Sequence, residues 1–341
     1  MKYRKTSSRG LHKICFYARN ALLSMIPPLV WRQRGRRLLA EFARMSPDQQ
    51  ANIQARVNYY NQLEHRFPLP ATAEPIEDFS SKGKSSAYSC DFRNHARYFP
   101  GHLKLSYLFG DVTEVPAEAR MLKSRPITGD SSNRNSVILK LNTVRHYHFV
   151  PDPLAFREKK PMAVWRGKSN QPHRIEFARQ YADHPLCNVG CTVHKEPQAL
   201  GYHRDFLSVE EQLKYQFVVS LEGIDVATNL KWIMASNSLC LMRRPRFETW
   251  FMEGTLIPGY HYVELKDDYS DLVEKTEYYR ENPEKAEAIV RNANHHASRF
   301  MDAKMEELVS ILVVDKYLRL SGQGSPRRSM PATYPAKIPT S

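Results

Sequence analysis

Two stretches of this chain each join a short apolar run to a polar turn and a helix start, an arrangement whose free backbone N–H groups can hold an anion. In one, Gln216 to Leu221 reads as a strand, Glu222-Gly223 ends it, Val226 to Ala235 has helical spacing, and Ser238 to Met242 is apolar again. That is a parallel strand–helix–strand unit, and ligands of such units sit outside the carboxyl ends of the strands. Glu222, Gly223, Asp225, Thr228 and Asn229 are its contact candidates. In the other, Met162 to Trp165 reads as a strand, Arg166 to Gln171 as a loop, and Pro172 as the first helical position, where a missing N–H costs nothing. Arg166, Lys168 and Arg174 surround that helix start with positive charge, which suits a diphosphate. One such turn alone is equally an ordinary basic loop; two in one chain favour a phosphorylated ligand.

Other chemistry-bearing groups read more plainly. His184, Cys187, Cys191 and His194 have roughly metal-like spacing, but NVGCTVH is better read as a strand following a helix that ends near Tyr181. His146 and His148 stand two apart in a strand-like run, with no acidic partner close in sequence, so packing or hydrogen bonding is their expected role. The five cysteines are odd in number and mostly embedded in apolar runs, as reduced cytoplasmic thiols would be. No Asp-x-Asp motif occurs, which favours cations and helix N-termini over a divalent ion, and no metal site is expected.

The elements that must position these residues fill 341 positions, more than one core usually supports, so two domains are expected. Ser46-Pro47-Asp48-Gln49 is a capping box that starts a helix running to about Leu63, and Ser208 to Glu211 repeats the cap. Asn282-Pro283-Glu284 opens a long helix reaching about Leu320 and packing back on the protein. Thr72 to Ser86 reads as a loop, and the Ser-, Pro- and Gly-rich end from Ser321 as disordered. No apolar run approaches the ~20 residues of a membrane span, and the basic start lacks a cleavage site, so no signal peptide is expected. The net charge is +14, and Arg32, Arg34, Arg36 and Arg37 lie beside Leu22, Leu23, Ile26, Leu29, Val30 and Trp31. That mixture suits an anionic membrane surface, although Pro27-Pro28 interrupts a long amphipathic helix. Nucleic acid would need the same charges, but no recognition module for it is present.

Longer stretches resemble glycosyltransferase family 90, and within it the bacterial enzymes that modify lipopolysaccharide. They are KSRPITGD (Lys123 to Asp130), NSVILKLNTVRHYHFVPD (Asn135 to Asp152), WRGKSNQPHR (Trp165 to Arg174), LSVEEQLKYQFVVSLEGIDVATNLKW (Leu207 to Trp232), and ETWFMEG with HYVELKDDYSDLVEK (Glu248 to Lys275). The resemblance implies an α/β protein of GT-B-like fold, with two Rossmann-like domains facing a central cleft. Beside the basic, amphipathic helical segment read at 1–70 and the tail read as disordered at 321–341, it places an acceptor-side Rossmann-like domain at 71–155 and a nucleotide-sugar-binding domain at 156–320.

The implied activity is inverting, metal-independent transfer of a hexose from a UDP-sugar to a lipopolysaccharide core or similar surface glycan, with no cofactor. The partners are then the UDP-sugar, a glycolipid or lipopolysaccharide acceptor and an anionic membrane surface, with no nucleic acid, and the place is the cytoplasmic side of the membrane. Such an enzyme must stabilise charge on the leaving diphosphate and deprotonate the acceptor hydroxyl. Arg166, with Lys168, is the expected leaving-group stabiliser. Arg125, Gly167, Lys168, Ser169, Arg174, Glu222, Gly223, Asp225, Thr228, Asn229 and Lys231 form the expected donor site. The eukaryotic branch carries an arginine near the position of Asn229 and a catalytic acid after the arginine matching Arg125, where Pro126 stands here. Asp130 is then the nearest carboxylate for a base, although it could equally cap a turn; Asp111 and Asp152 are alternatives. The missing acid and arginine also admit an inactive sugar-nucleotide-binding protein.

Overall fold

The computed structural model describes residues 8–80, 86–168, 171–192 and 201–324, and the chain divides into two compact units. One, mostly helical, comprises Gly10–Val144, Phe247–Trp250 and the chain from Asp302. The other, built on a parallel sheet, comprises Arg145–Arg246 and Phe251–Met301.

In the helical unit, α1 (Ser8–Ser24) and α2 (Pro28–Arg44) are separate helices, because Pro27 precedes another proline and takes the extended ψ of 142° that such a position prefers. The capping box read from the sequence starts α3 (Pro47–Tyr60): Gln49 N donates to Ser46 Oγ at 3.3 Å and Ser46 N to Gln49 Oε1 at 3.1 Å. α4 (Ser86–Ala96) follows. Strands here are short. β1 (Glu74–Pro75) pairs antiparallel with β2 (Lys104–Leu105), while β3 (Tyr107–Leu108), β4 (Arg120–Leu122) and β6 (Ser136–Ile138) form a parallel sheet in the order β3-β4-β6. β5 (Arg125–Pro126) pairs antiparallel with β11 (Phe247–Glu248).

α5 (Thr143–His146) is a single helical turn, so His146 closes a helix and is not in the expected strand-like run with His148. Its start is tied to α4, where Asp91 accepts from Thr143 N at 2.7 Å and Thr143 Oγ1 at 2.9 Å.

The helix expected from Asn282 to Leu320 is two helices, α10 (Pro283–Ser298) and α11 (Ala303–Leu320). Asp302 sets the break: its carboxylate accepts from Lys304 N at 2.9 Å and Met305 N at 3.1 Å, starting a new helix. α11 packs on α2, α3 and α4 within the helical unit. Its Glu306 accepts from Arg56 at 2.6 Å, Lys140 at 2.7 Å and Trp250 Nε1 at 2.7 Å, and Tyr60 stacks on Trp250 at 3.8 Å. Burial would raise the Glu306 carboxyl, yet Lys140 and Arg56 hold it below its ordinary value. Residues 325–341, most of the tail expected to be disordered, lie outside the described residues; Gln323 Nε2 bonds Lys104 O at 2.8 Å.

The sheet unit carries β7 (Lys160–Gly167), β8 (Cys187–Cys191), β9 (Tyr215–Val219), β10 (Leu239–Met242) and β12 (Val263–Glu264), all parallel, in the order β12-β10-β9-β7-β8. Every residue of β9 and β10 is buried, which is why both read as continuous apolar runs. α6 (Pro172–Tyr181) joins β7 to β8, and α7 (Val209–Gln212) precedes β9 under the Ser208–Glu211 capping box. α8 (Leu230–Met234) leads into β10, and α9 (Leu272–Glu281) and α10 complete the cover. Trp165, Phe177, Tyr181, Phe217, Leu241 and Tyr269 are core residues of this unit.

Numbered within the unit, the strand order is 2-1-3-4-5. In doubly wound sheets of that order the connections leave in opposite directions from the first and third strands, here β7 and β9, which opens a crevice at their carboxyl ends. Both turns singled out in the sequence end these two strands.

Candidate functional site

At the end of β7, Gly167 is fixed by sterics. A Cβ there would lie 2.4 Å from Cζ2 of Trp165, whose ring is buried, and Gly167 O accepts from Thr192 N at 2.9 Å. Lys168 follows, exposed; Ser169 lies outside the described residues. α6 then begins at Pro172 without a side-chain cap. Its first turn reaches the end of β9: Arg174 donates from Nε to Glu222 O and from Nη2 to Leu221 O, each at 2.9 Å, and His173 Nε2 lies 2.9 Å from Glu222 O. Gly223 leaves room beside this guanidinium, since a Cβ there would stand 3.6 Å from Arg174 Nη2.

The Glu222 side chain gathers two more arginines from the end of β10. Its carboxylate accepts from Arg246 Nη2 at 2.6 Å and Nε at 3.0 Å, and from Arg243 Nη2 at 3.2 Å. Arg243 also lies over the Tyr269 ring at 4.9 Å. Glu222, expected to touch the donor, holds the cations beside it through these bonds. Burial lowers the His173 imidazole, and Arg243, Arg174 and Arg246 depress it further, so it stands neutral among them. Sequence reasoning missed His173, Arg243 and Arg246. The signal available was RRPR directly after an apolar strand, since cations there reach the site once that strand lies beside β9.

Several expected site residues have structural partners instead. Arg166 donates from Nε to Asp205 O at 2.9 Å, from Nη1 to Asn188 O at 2.6 Å and from Nη2 to Asn188 Oδ1 at 2.6 Å, which commits its fork to β8 and the segment before α7. Asn229 accepts from Ser220 Oγ at 3.1 Å and donates to Val219 O at 3.0 Å, closing the loop after β9. The helix expected from Val226 starts later, and α8 spans only Leu230 to Met234. Lys231 is fully buried and paired with Glu253; Asp225 is buried and Thr228 half-buried in the same loop.

Arg125 and Asp130 belong to the helical unit. Arg125 is fully buried, with Nε on Glu248 at 2.7 Å, Nη2 on Tyr59 O at 2.7 Å and Nη1 on Ser136 O at 3.1 Å. Asp130 is exposed on a turn. It accepts from Ser132 N at 2.9 Å, and the Ser132 side chain first, with that N–H second, holds its carboxyl below the ordinary value. Among the described residues it makes no ion pair, whereas Asp111 pairs with Lys123, and Asp152 with Lys159 and Asn237 N. His194 lies outside the described residues; Cys187 and Cys191 are buried in β8, and burial pushes the Cys187 thiol up to about 12.

A doubly wound sheet whose switch point is bordered by Lys168, Arg174, Arg243, Arg246 and a neutral histidine defines an α/β protein suited to a phosphorylated ligand. Residues 147–319, which take in the whole of that sheet, match the model of Glycosyl transferase family 90. The chain is 47% identical to O-glucosyltransferase LpsA of Dichelobacter nodosus over 92% of its own length and 97% of that protein. It is 28% identical to human Protein O-glucosyltransferase 3 over 39% of its length and 27% of that protein. It is also 33% identical to Uncharacterized protein 035R of Invertebrate iridescent virus 3 over 54% of its length and 21% of that protein. The chain belongs to glycosyltransferase family 90 and is a glycosyltransferase, as the sequence motifs implied.

Proposed function

We propose that this enzyme transfers a glucosyl residue from a UDP-sugar to a hydroxyl of a lipopolysaccharide core or similar surface glycan, with inversion and without a metal ion. The acceptor oxygen attacks the anomeric carbon, the bond from that carbon to the diphosphate oxygen breaks, and the hydroxyl proton passes to a carboxylate. The similarity to O-glucosyltransferase LpsA supports glucose, and the glycan class is the one the resemblance to the bacterial branch implies; the proposed place is the cytoplasmic face of an anionic membrane. The observation that carries the donor half is the gathering of Arg174, Arg243 and Arg246 around the carboxyl end of β9.

Fixed cations at that point stabilise negative charge growing on the leaving diphosphate without reorganising. The leaving-group role expected of Arg166 is assigned to Arg246 with Lys168, because the Arg166 fork is committed to β8 and the segment before α7, and Arg174, bonded to the carbonyls of Leu221 and Glu222, serves to fix the turn. Asp130 is the proposed base: it is ionised, solvated and without a cationic partner among the described residues, unlike Asp111 and Asp152.

The test is UDP binding and UDP release measured with UDP-glucose, UDP-galactose, UDP-N-acetylglucosamine and UDP-xylose, with and without EDTA. Arg246→Ala removes one charge-assisted contact worth about 1.5–3 kcal/mol, so UDP affinity should fall about 10- to 150-fold. Asp130→Asn should nearly abolish transfer while UDP affinity stays. Turnover surviving Asp130→Asn removes that base, and a UDP affinity unchanged by Arg246→Ala removes the donor site.

A further inference from the structure

The helical unit holds a cavity of its own, of about 630 Å³, bounded by α1, the start of α2 and the end of α4. Its apolar wall includes Leu23, Ile26, Trp31, Phe79 and Phe99, and three arginines stand on the same wall: Arg32, Arg93 and Arg97. Arg97 lies 4.1 Å over the Trp31 ring and Arg93 lies 5.8 Å over Phe79, so both charges are held against the aromatic lining. Arg32 Nε is shielded from solvent and makes no hydrogen bond among the described residues. Glu77 is the only carboxylate among the lining residues.

The outer surface of the same helices continues the pattern. α2 buries Leu38 and Phe42 against its unit, but α1 buries no described residue fully, and Leu22, Met25 and Leu29 are 66%, 79% and 61% exposed. From Gly10 to Arg44 there are seven lysines and arginines against one acid, Glu41. A large exposed apolar patch ringed by one sign of charge marks an interaction surface, and apolar residues with excess cations on a helix pair suit an anionic leaflet. The cavity adds what a flat surface lacks, an apolar slot with guanidinium groups that can fork onto a phosphate.

The geometry points to an anionic glycerophospholipid as the occupant, with an acyl chain in the cavity, its phosphate on Arg32 and Arg93, and the Leu22–Leu29 tip in the surrounding leaflet. This deepens the membrane part of the function proposed above and requires nothing of the donor site.

The full chain is tested with vesicles of phosphatidylcholine alone and of phosphatidylcholine with phosphatidylglycerol. Co-sedimentation, quenching of tryptophan fluorescence by phosphatidylglycerol with brominated chains, and the thermal shift given by UDP are read on each protein. Binding is expected only with phosphatidylglycerol, with quenching that disappears in Trp31→Phe. Arg32→Ala with Arg93→Ala should weaken binding about thirtyfold, Leu22→Glu with Met25→Glu should abolish it, and Ser24→Phe, which adds bulk to the cavity lining without adding a fluorophore, should remove the quenching. Equal binding to both vesicles, salt-reversible binding without quenching, or a dimer in sedimentation velocity that vanishes with Leu22→Glu would each overturn the lipid site. An unchanged UDP shift in every variant shows that lost lipid binding is not misfolding. Absence of a UDP shift in the unaltered protein counts against the donor site alone.

Discussion

Glu248→Ala should cost this enzyme stability before it costs it any donor affinity. Arg125 was expected in the donor site, yet its guanidinium is sealed in the helical unit with Glu248 at 2.7 Å and two backbone carbonyls completing its fork. Truncating Glu248 leaves that charge in the interior without its counter-charge. Breaking one side of a buried pair costs about 3–5 kcal/mol, a large part of the roughly 5–15 kcal/mol that holds a domain folded. At about 2–4 °C per kcal/mol for domains of 150–250 residues, the melting temperature should fall by about 6–20 °C. Replacing both partners by apolar groups, as in Arg125→Met with Glu248→Leu, removes the stranded charge and should recover much of the loss. Scanning calorimetry with and without saturating UDP makes the measurement, because UDP should raise the melting temperature of Glu248→Ala by as much as it does the unaltered protein. A Glu248→Ala protein that melts within about 2 °C of the unaltered one but gives no shift with UDP would refute the reasoning and return Arg125 to the ligand.

Gly167→Ala should cost about 1–3 kcal/mol, since the new methyl meets the buried Trp165 ring at 2.4 Å; a melting temperature unchanged in calorimetry would show that the ring yields. Glu222→Gln should weaken UDP binding in titration calorimetry about tenfold, because Arg243 and Arg246 lose the carboxylate that orients them; tighter binding would mean that the carboxylate only opposes the phosphates. Burial raises the Asp91 carboxyl to about 7 against the lowering effect of Thr143. Its folded value therefore exceeds the unfolded one, its contribution is complete below about pH 4, and it is lost as pH rises through about 7. Asp91→Asn should accordingly flatten the fall in melting temperature between pH 5 and pH 8, and an unaltered slope would exclude that carboxyl as the cause.

The strands that end in the two site turns were legible because each is a short apolar run stopped by polar residues, with Pro172 or Glu222-Gly223 marking the exit. The capping boxes at Ser46 and Ser208 were legible for the same local reason, since every atom of the motif lies within four residues. Strand order was not local. The strand–helix–strand reading made β10 parallel to β9, but such a crossover can also skip a neighbour, and only direct adjacency brings Arg243 and Arg246 to the end of β9. The helix expected from Val226 begins only at Leu230, and the Asn229 side chain ties the loop before it back to Val219 O, a distant contact that a spacing pattern does not contain.

The sorting of charged residues shows what a sequence withholds. Arg125, Lys231, Arg166 and Arg246 look alike as letters; the first three stood in the expected site and Arg246 did not. Arg125 and Lys231 meet Glu248 and Glu253 in full burial, where a charge is tolerated only when paired, and so they hold elements together. Arg166 is held by carbonyls along β8. Arg246 meets a carboxylate too, but its own side chain is 58% exposed, so the pairing aims the guanidinium and leaves its outer edge in water. A cation kept for a phosphate must be oriented without being neutralised in a dry interior, and Arg246 at the end of β9 meets that condition. Glu222 fits it as well: one carboxylate shared by Arg243 and Arg246 relieves their mutual repulsion yet leaves net positive charge for a ligand.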